Sequence, residues 1–408
     1  MRVSTMRAVD RGLGRPVCAA LTLARRLQHE RRPGPPAAVR RVLFVKLSEM
    51  GALVLATPAF AEAARIYPNA EVWLLCFDEN AEIAGVAAGL PPERVITVAS
   101  SGLTSTIGAL LGAVRRARSL HFDVVIDLEY FSRVSAILTY LTGAPVRAGF
   151  HRFEAEGLYC GDLYTHRATW NATLHVAQSM VALVRAAARD PHEVPLPKEP
   201  PPALPELSFP VFLPTADDAR ASSALLTSAG VPESAPILLV NPNSSDLLPL
   251  RRWPEERFAQ LCRALRERHP DAWVVLTGAP HEAALGERIV AQVGGERFTS
   301  VIGKTDLRGL LTLFTRARVL VSADSGPPHF AALTPLRVVT LFGPETPALY
   351  GPVNDRNEAI TAGLACSPCI HAWNRRVSPC TDNQCMQQIQ VAQIVAAVDR
   401  ALRAGDGV

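Results

Sequence analysis

Aromatic residues make up only 6% of the 408 positions, too few for a surface that stacks nucleic-acid bases. A basic groove along the body is missing as well. Arg2, Arg7, Arg11, Arg15, Arg25, Arg26, Arg31, Arg32, Arg40 and Arg41 face only Asp10 and Glu30 at the amino end. Because the whole chain carries +4, the remainder is slightly acidic, and no nucleic-acid partner is expected. Long apolar runs are absent too. The stretch 17–27 is shorter than the roughly twenty residues of a membrane-spanning helix, and arginines follow it with no small-residue cleavage site, unlike a signal peptide. No GxGxxG follows the first apolar strand, which argues against a dinucleotide-dependent enzyme. Of the eight cysteines four are isolated and four crowd near the carboxyl end, which does not read as a secreted disulfide framework and points to a cytoplasmic setting.

What is present is alternation. Residues 41–46 read RVLFVK, a short buried-strand pattern, followed by a Ser-Glu-Met-Gly turn and a helical stretch. Strands at 71–77, 94–98 and 124–128 then alternate with helical segments at 79–88, 105–119 and 132–141. Residues 191–214 hold nine prolines, counting Pro191 and Pro214, a density that fits a linker. Beyond it the alternation restarts, with strands at 237–241, 273–277, 300–302, 319–322 and 338–342. The expected fold is α/β with two facing Rossmann-like domains. The boundaries are 1–40 for a basic helical extension, 41–190 for the first domain, 191–214 for the linker and 215–408 for the second. The extension reads as a helix with Leu13, Val17, Leu21, Leu23, Ala24 and Leu27 on one side, either lying on an anionic membrane surface or docked on the protein itself.

One turn carries most of the chemistry. In 319–330 an apolar strand ends in Asp324, Ser325 and Gly326 and runs into Pro327, Pro328 and His329. Glycine lets backbone approach a ligand, and prolines fit a first helical turn where an N–H is dispensable. Free N–H groups there suit a diphosphate, and Asp324 suits sugar hydroxyls. An Asp/Ser helix cap of purely structural value is the competing reading. A second strand-loop, Phe342-Gly343-Pro344-Glu345, follows it.

In this order the segments resemble the heptosyltransferase family, glycosyltransferase family 9, whose members carry an Asp-Ser/Thr-Gly-x-x-His turn and a Phe-Gly-Pro-Thr-type loop. The resemblance extends from about Arg41 to Ala397. It includes Thr57-Pro58 in the first domain, Arg251-Arg252-Trp253-Pro254-Glu255, Gly278 to Glu282, and Gly303-Lys304-Thr305-Asp306-Leu307. It implies a GT-B type glycosyltransferase that inverts the anomeric centre without a catalytic cofactor, taking a nucleotide-sugar such as ADP-heptose on the second domain. The acceptor it implies is a lipid-linked or polysaccharide molecule such as lipopolysaccharide core, with work at the inner face of the cytoplasmic membrane. By residue it places Asp324 on donor sugar, Ser325, Gly326, His329 and Gly343 around the phosphates, Arg251 or Arg252 on phosphate and Glu282 on ribose.

The sequence departs from the family at Ala52, where members carry the Asp taken as the base. Glu49, three residues earlier, is the nearest replacement, with Asp127 and Glu129 as the other first-domain carboxylates. If none serves, the chain is a non-catalytic nucleotide-sugar binder. His151, Arg152, Tyr159, Tyr164, His166 and His175 form a polar and aromatic cluster, read as lying between the domains and suited to carbohydrate or charged lipid. Cys366, Cys369, Cys380 and Cys385, within 366–385, are candidate ligands for a structural zinc or iron, with disulfides or free thiols as alternatives. Some cysteine-rich relatives of the family hold a metal in a similar arrangement.

Overall fold

The computed structural model describes residues 10–30, 32–34, 38–99, 102–153, 157–242, 248–374 and 376–405. Part of the basic lead (1–9) and residues 243–247, in the segment that looked longer than in the family, lie outside them. The chain divides into two compact units. The first holds residues 1–208 and 371–377, the second 209–370 and 378–408. The division falls inside the proline-rich run, most of which stays with the first unit. There Leu196 forms a bridge with Ala168, and the Gln178 amide donates to the Pro202 carbonyl.

The first unit carries six parallel strands: β1 (Arg41–Val45), β2 (Glu71–Phe77), β3 (Val95–Val98), β4 (Val124–Asp127), β5 (Val146–Phe150) and β6 (His166–Ala168). Their order is β3-β2-β1-β4-β5-β6, so the carboxyl ends of β1 and β4 are neighbours near mid-sheet. The helices are α1 (Arg15–Leu27), α2 (Met50–Ile66), α3 (Ala81–Ala88), α4 (Leu103–Leu120), α5 (Arg133–Leu141) and α6 (Val176–Ala187). Leu43, Val45, Leu75, Ile96 and Val125 face a core closed by α4 and α5 residues such as Val114 and Leu138. Such apolar runs are what a strand covered on both faces requires.

The second unit repeats the design with β7 (Ile237–Asn241), β8 (Trp273–Leu276), β9 (Phe298–Ser300), β10 (Val319–Ala323), β11 (Arg337–Phe342) and β12 (Asn357–Thr361), in the order β12-β11-β10-β7-β8-β9. Its helices are α7 (Ala216–Ser228), α8 (Glu255–Arg268), α9 (Ala283–Val293), α10 (Leu307–Arg316), α11 (Gly326–Phe330), α12 (Pro347–Tyr350), α13 (Gln384–Gln387) and α14 (Val391–Gly405). Phe258, Leu261, Leu265, Ile394 and Val398 from α8 and α14 pack together on one side of the sheet.

One expectation fails here. Residues 148–150, read as lying between the domains, belong to β5 inside the first sheet. The strand is fully buried although it contains Arg147 and Gly149. Arg147 is held by Glu30 and donates to the carbonyls of Leu163 and Ala144, so its charge is met internally. Gly149 is required because the Tyr164 ring lies 2.4 Å from where a Cβ would stand.

Among the described residues no helix is long and apolar enough to cross a membrane. Helix α1 docks on the first unit through buried Cys18, Thr22 and Arg25. The docking is polar: Arg25 donates to Asp162 at 2.9 Å, and Asp10, just before the helix, pairs with Arg133 at 3.1 Å.

Candidate functional site

In the first unit the chain leaves β1 through Lys46, Leu47, Ser48 and Glu49 and enters α2 at Met50. This turn is braced from below. The Glu129 carboxylate, just past β4, accepts from Lys46 Nζ at 3.0 Å, Leu47 N at 2.8 Å and Ser48 N at 3.3 Å. Buried Asn80 donates to the Leu47 carbonyl at 2.7 Å. Asp127 is completely buried and accepts from the Tyr164 hydroxyl at 2.7 Å and from Glu129 N at 3.0 Å. Burial raises its carboxyl to about 7 despite those hydrogen bonds. The geometry gives these two sequence candidates work inside the protein: Glu129 ties the turn, and Asp127 is sealed beneath it.

Glu49 is different. Its backbone sits at φ 72°, ψ 91°, a region a non-glycine residue enters only at a cost of order 1–3 kcal/mol. Its carboxylate is about a third exposed and paired with Arg376, which itself stands at φ 55°. Two strained residues thus meet across a sequence separation of 327. Strain survives only where surroundings over-determine it, and such residues concentrate at functional sites. Ala52, at the family's acidic position, lies in the first turn of α2, where its N–H donates to the Glu49 carbonyl at 2.9 Å. Glu49 is therefore the first residue of the same helix entry.

In the second unit the turn at 324–329 is built as a strand end running into a helix, as its spacing suggested. β10 ends at Ala323, Asp324 and Ser325 follow, and α11 starts at Gly326 with both prolines in its first turn. Ser325 Oγ donates to the Ala323 carbonyl at 3.0 Å and lies 3.2 Å from Ser322 Oγ, which shapes the turn. Buried His329 follows in the same short helix. Arg251 reaches this turn. Arg251 Nε lies 3.2 Å from Asp324 Oδ2, its Nη1 donates to the Asp324 carbonyl at 3.3 Å, and its Nη2 contacts Glu345. Arg252 is exposed. Trp253 is buried against Phe258 and donates to the Ile389 carbonyl.

Glu345 is the residue that sequence reasoning missed. It is buried, where the family loop carries Thr, and its carboxylate anchors the arginine that holds Asp324. The only signal was the departure from the family's residue. Glu282, in the short helical turn Pro280–Glu282 that follows β8, accepts from Ala279 N at 2.7 Å and closes its own turn. Gly343 has a packing reason. A Cβ there would stand 2.5 Å from Met386 Sδ and 3.1 Å from Cys385 Sγ, so the glycine admits α13.

The cysteine loop continues that support. Ser367 Oγ donates to the Gly343 carbonyl, while Cys369 N and Ile370 N donate to the Pro344 carbonyl at 3.0 and 2.9 Å. Cys369 and Cys380 act electrostatically on Cys385, whose thiol is pushed up to about 11, mainly by burial. Among the described residues, however, no group of three or more His, Cys, Asp or Glu side chains is arranged to hold a metal ion. The four cysteines expected as zinc or iron ligands are not presented as a ligand set. Ser378 Oγ donates to Cys369 Sγ at 3.2 Å, and Cys380 Sγ donates to the Asp382 carbonyl at 3.0 Å.

The polar cluster of the first unit divides. Tyr164 serves Asp127, buried His166 bonds the Arg189 carbonyl and Thr165, and His175 caps α6. His151, Arg152 and Tyr159 line a cavity.

Comparison with known proteins agrees with this construction. Residues 111–377 match the family model "Glycosyltransferase family 9 (heptosyltransferase)". Lipopolysaccharide heptosyltransferase 1 of Pseudomonas aeruginosa is 24% identical over 340 residues, covering 81% of this chain and 86% of that protein. The structure of Escherichia coli ADP-heptose lipopolysaccharide heptosyltransferase II superposes with a TM-score of 0.67 at 18% identity, over 90% of this chain and 100% of that one. The dodecameric iron-containing heptosyltransferase TibC, solved with ADP-D-beta-D-heptose, shares the fold at a TM-score of 0.50 and 12% identity, over 90% of this chain and 77% of that one. With the donor turn, the glycine loops and the paired Rossmann-like units all in the family's order, the chain belongs to glycosyltransferase family 9 and is a glycosyltransferase.

Proposed function

We propose that this glycosyltransferase moves heptose from ADP-heptose to a lipopolysaccharide-core type acceptor at the inner face of the cytoplasmic membrane, with inversion. The donor is held by the second unit and the acceptor by the first. Glu49 removes the proton of the acceptor hydroxyl. The oxygen attacks the anomeric carbon, the bond from that carbon to the β-phosphate oxygen breaks, and ADP leaves with the electron pair. Asp324 takes donor hydroxyls, Ser325, Gly326 and His329 surround the phosphates, and Glu282 takes the ribose through its second oxygen. Arg251 acts by fixing Asp324, its guanidinium being already committed to two carboxylates. Asp127 and Glu129 hold the turn that carries Glu49.

The observation that carries the reading is Glu49: a partly exposed carboxylate in a strained backbone, at the end of β1, in the turn where the family's base is replaced by Ala52. The sugar and acceptor are supported by what the similar curated proteins transfer. Incubation of the purified chain with ADP-heptose and a heptose-free core acceptor tests it. ADP release and a heptose mass increment on the acceptor are expected, falling at least about a hundredfold in Glu49→Gln. Transfer undiminished in that variant removes Glu49 as base. Donor binding without turnover by the wild type leaves a nucleotide-sugar binding protein, the reading that Ala52 would otherwise favour.

A structural zinc or iron at the four cysteines belongs to the same proposal. Its support is the Cys-x-x-Cys spacing and the iron in the TibC structure's name. Less than about 0.1 metal ion per chain after anaerobic purification would remove it.

A further inference from the structure

Part of the first unit carries a charge excess that the transfer chemistry does not use. Asp162 receives Arg25 at 2.9 Å, Arg32 at 3.0 Å and Arg167 at 3.8 Å. Glu30 receives Arg25 at 3.3 Å and Arg147 at 2.6 Å. Among the described residues four guanidiniums thus share two carboxylates. Burial, with Arg32 and Arg25 close by, pulls Arg167 below the usual arginine range, and its buried Nε has no hydrogen-bond partner among the described residues.

This surplus borders two adjoining cavities of about 310 and 510 Å³. The smaller is lined by Arg26, His151, Arg152, Tyr159 and Arg167 as well as Asp162. The larger adds Arg15 and shares Arg152 and Tyr159. One wall is α1, which precedes the first strand, and the other is formed by His151, Arg152 and Tyr159, which follow β5. Charge complementarity asks for an anion with several oxygens, which guanidinium groups bind in pairs.

The rest of α1 says what carries that anion. With Cys18, Thr22 and Arg25 turned inward, Leu23, Leu27 and Val17, with Leu13 just before the helix, are left exposed, Leu27 at 71%. Exposed Arg15 and Arg26 stand on the same segment. Apolar residues beside arginines, next to a cationic cavity, have the composition of an interfacial lipid-binding element. We infer that this pocket is a binding site for the phosphate headgroup of an anionic lipid, with the exposed leucines entering the acyl boundary. β5 lies two strands from β1, roughly 10 Å along the same edge of the sheet. On the transfer reading, on which this placement alone rests, a lipid-linked acceptor would sit near Glu49.

Binding can be measured without turnover, so its failure and that of the transfer reading are separable. The full chain is sedimented with phosphatidylcholine vesicles containing or lacking phosphatidic acid, while inorganic phosphate is titrated in a thermal-shift assay. Binding to phosphatidic acid vesicles is expected, with pure phosphatidylcholine at least about tenfold weaker. Exposed Arg152→Glu or Arg26→Glu should weaken vesicle binding on the order of thirtyfold, each basic residue at an anionic surface being worth about fivefold. Leu23→Asp with Leu27→Asp should abolish vesicle binding and leave the phosphate shift intact. Equal binding to both vesicle types, or charge-reversal variants that bind like wild type, would overturn the site. A phosphate shift without vesicle binding would overturn the lipid as its source.

Discussion

Replacing Glu345 by Gln removes one charge from a buried pair and keeps the shape. Glu345 is fully buried and the Arg251 side chain is 13% exposed, so neither group recovers much hydration when its partner is lost. Breaking such a pair from one side costs about 3–5 kcal/mol. Asp324 remains on Arg251 Nε, so the lower end, about 3 kcal/mol, is expected. For a unit of this size that is a fall of roughly 6–12 °C in the melting temperature of the second unit. Urea unfolding of wild type, Glu345→Leu, Arg251→Met and the double variant Arg251→Met with Glu345→Leu closes the cycle, with Glu345→Gln measured beside it. The double variant should be less damaged than the sum of the singles by about 2 kcal/mol or more, because an apolar pair leaves no unmatched charge. ADP affinity of Glu345→Gln should fall about tenfold, since Arg251, without its Glu345 anchor, holds the turn that carries Ser325 and Gly326 less firmly. Stability within about 0.5 kcal/mol of wild type, or additive singles, would refute the reasoning.

Other consequences follow from the same geometry. Gly343→Ala should destabilise the second unit by about 1–3 kcal/mol through collision with Met386, and Met386→Ala added to it should recover part of the loss; a neutral Gly343→Ala would return the glycine to ligand approach. Burial lowers His151 and His166 to about 4, so their stabilising effect is lost as pH falls from 6.5 toward 4, while Asp127, raised to about 7, loses its contribution as pH rises through that value. Between about pH 5 and 6 the two histidines outweigh the one aspartate, so first-unit stability should climb by about 1 kcal/mol per pH unit in urea titrations, and Asp127→Asn should at least double that slope. Glu49→Gly relieves the positive φ whereas Glu49→Ala keeps it, and both lose the Arg376 pair. The glycine variant should therefore be the more stable by about 1 kcal/mol, and the reverse order would remove backbone strain from the account.

Strands whose residues are apolar throughout were legible in the sequence, and β1, β2, β7, β10 and β11 appear within a residue of where their runs lie. β5 and β6 were not. Their polar residues are compensated by partners distant in the chain, Glu30 for Arg147 and the Arg189 carbonyl for His166, and periodicity carries no trace of such partners. The donor turn was legible because its parts are consecutive. The choice between Arg251 and Arg252 was not, since it depends on which guanidinium the fold brings to Asp324. Glu345 and Arg376 were invisible for the same reason: each matters through a contact 94 or 327 residues away. Asp127 and Glu129 were found by their place after β4, but only burial and hydrogen bonds reveal that they support the turn.

That leaves the question of why cysteines crowd beside the site. The stretch 366–380 has little to anchor it: Ile370 and Ala372 are its buried apolar residues among those described. Ordering a backbone costs roughly 1–2 kcal/mol per residue, and two small burials offset only a fraction of that over fifteen positions. Yet this stretch is asked for accuracy at two places. Its Cys369 and Ile370 amides shape the Pro344 turn, hence Glu345, Arg251 and Asp324 in the second unit. Its residues 371–377 belong to the first unit, where Arg376 holds Glu49. A segment with so small a core can hold both only if something other than hydrophobic burial restricts it. Thiols on either side of 371–377 are the groups available for that restraint, whether through hydrogen bonds, as between Ser378 and Cys369, or through a cross-link that shortens the free loop.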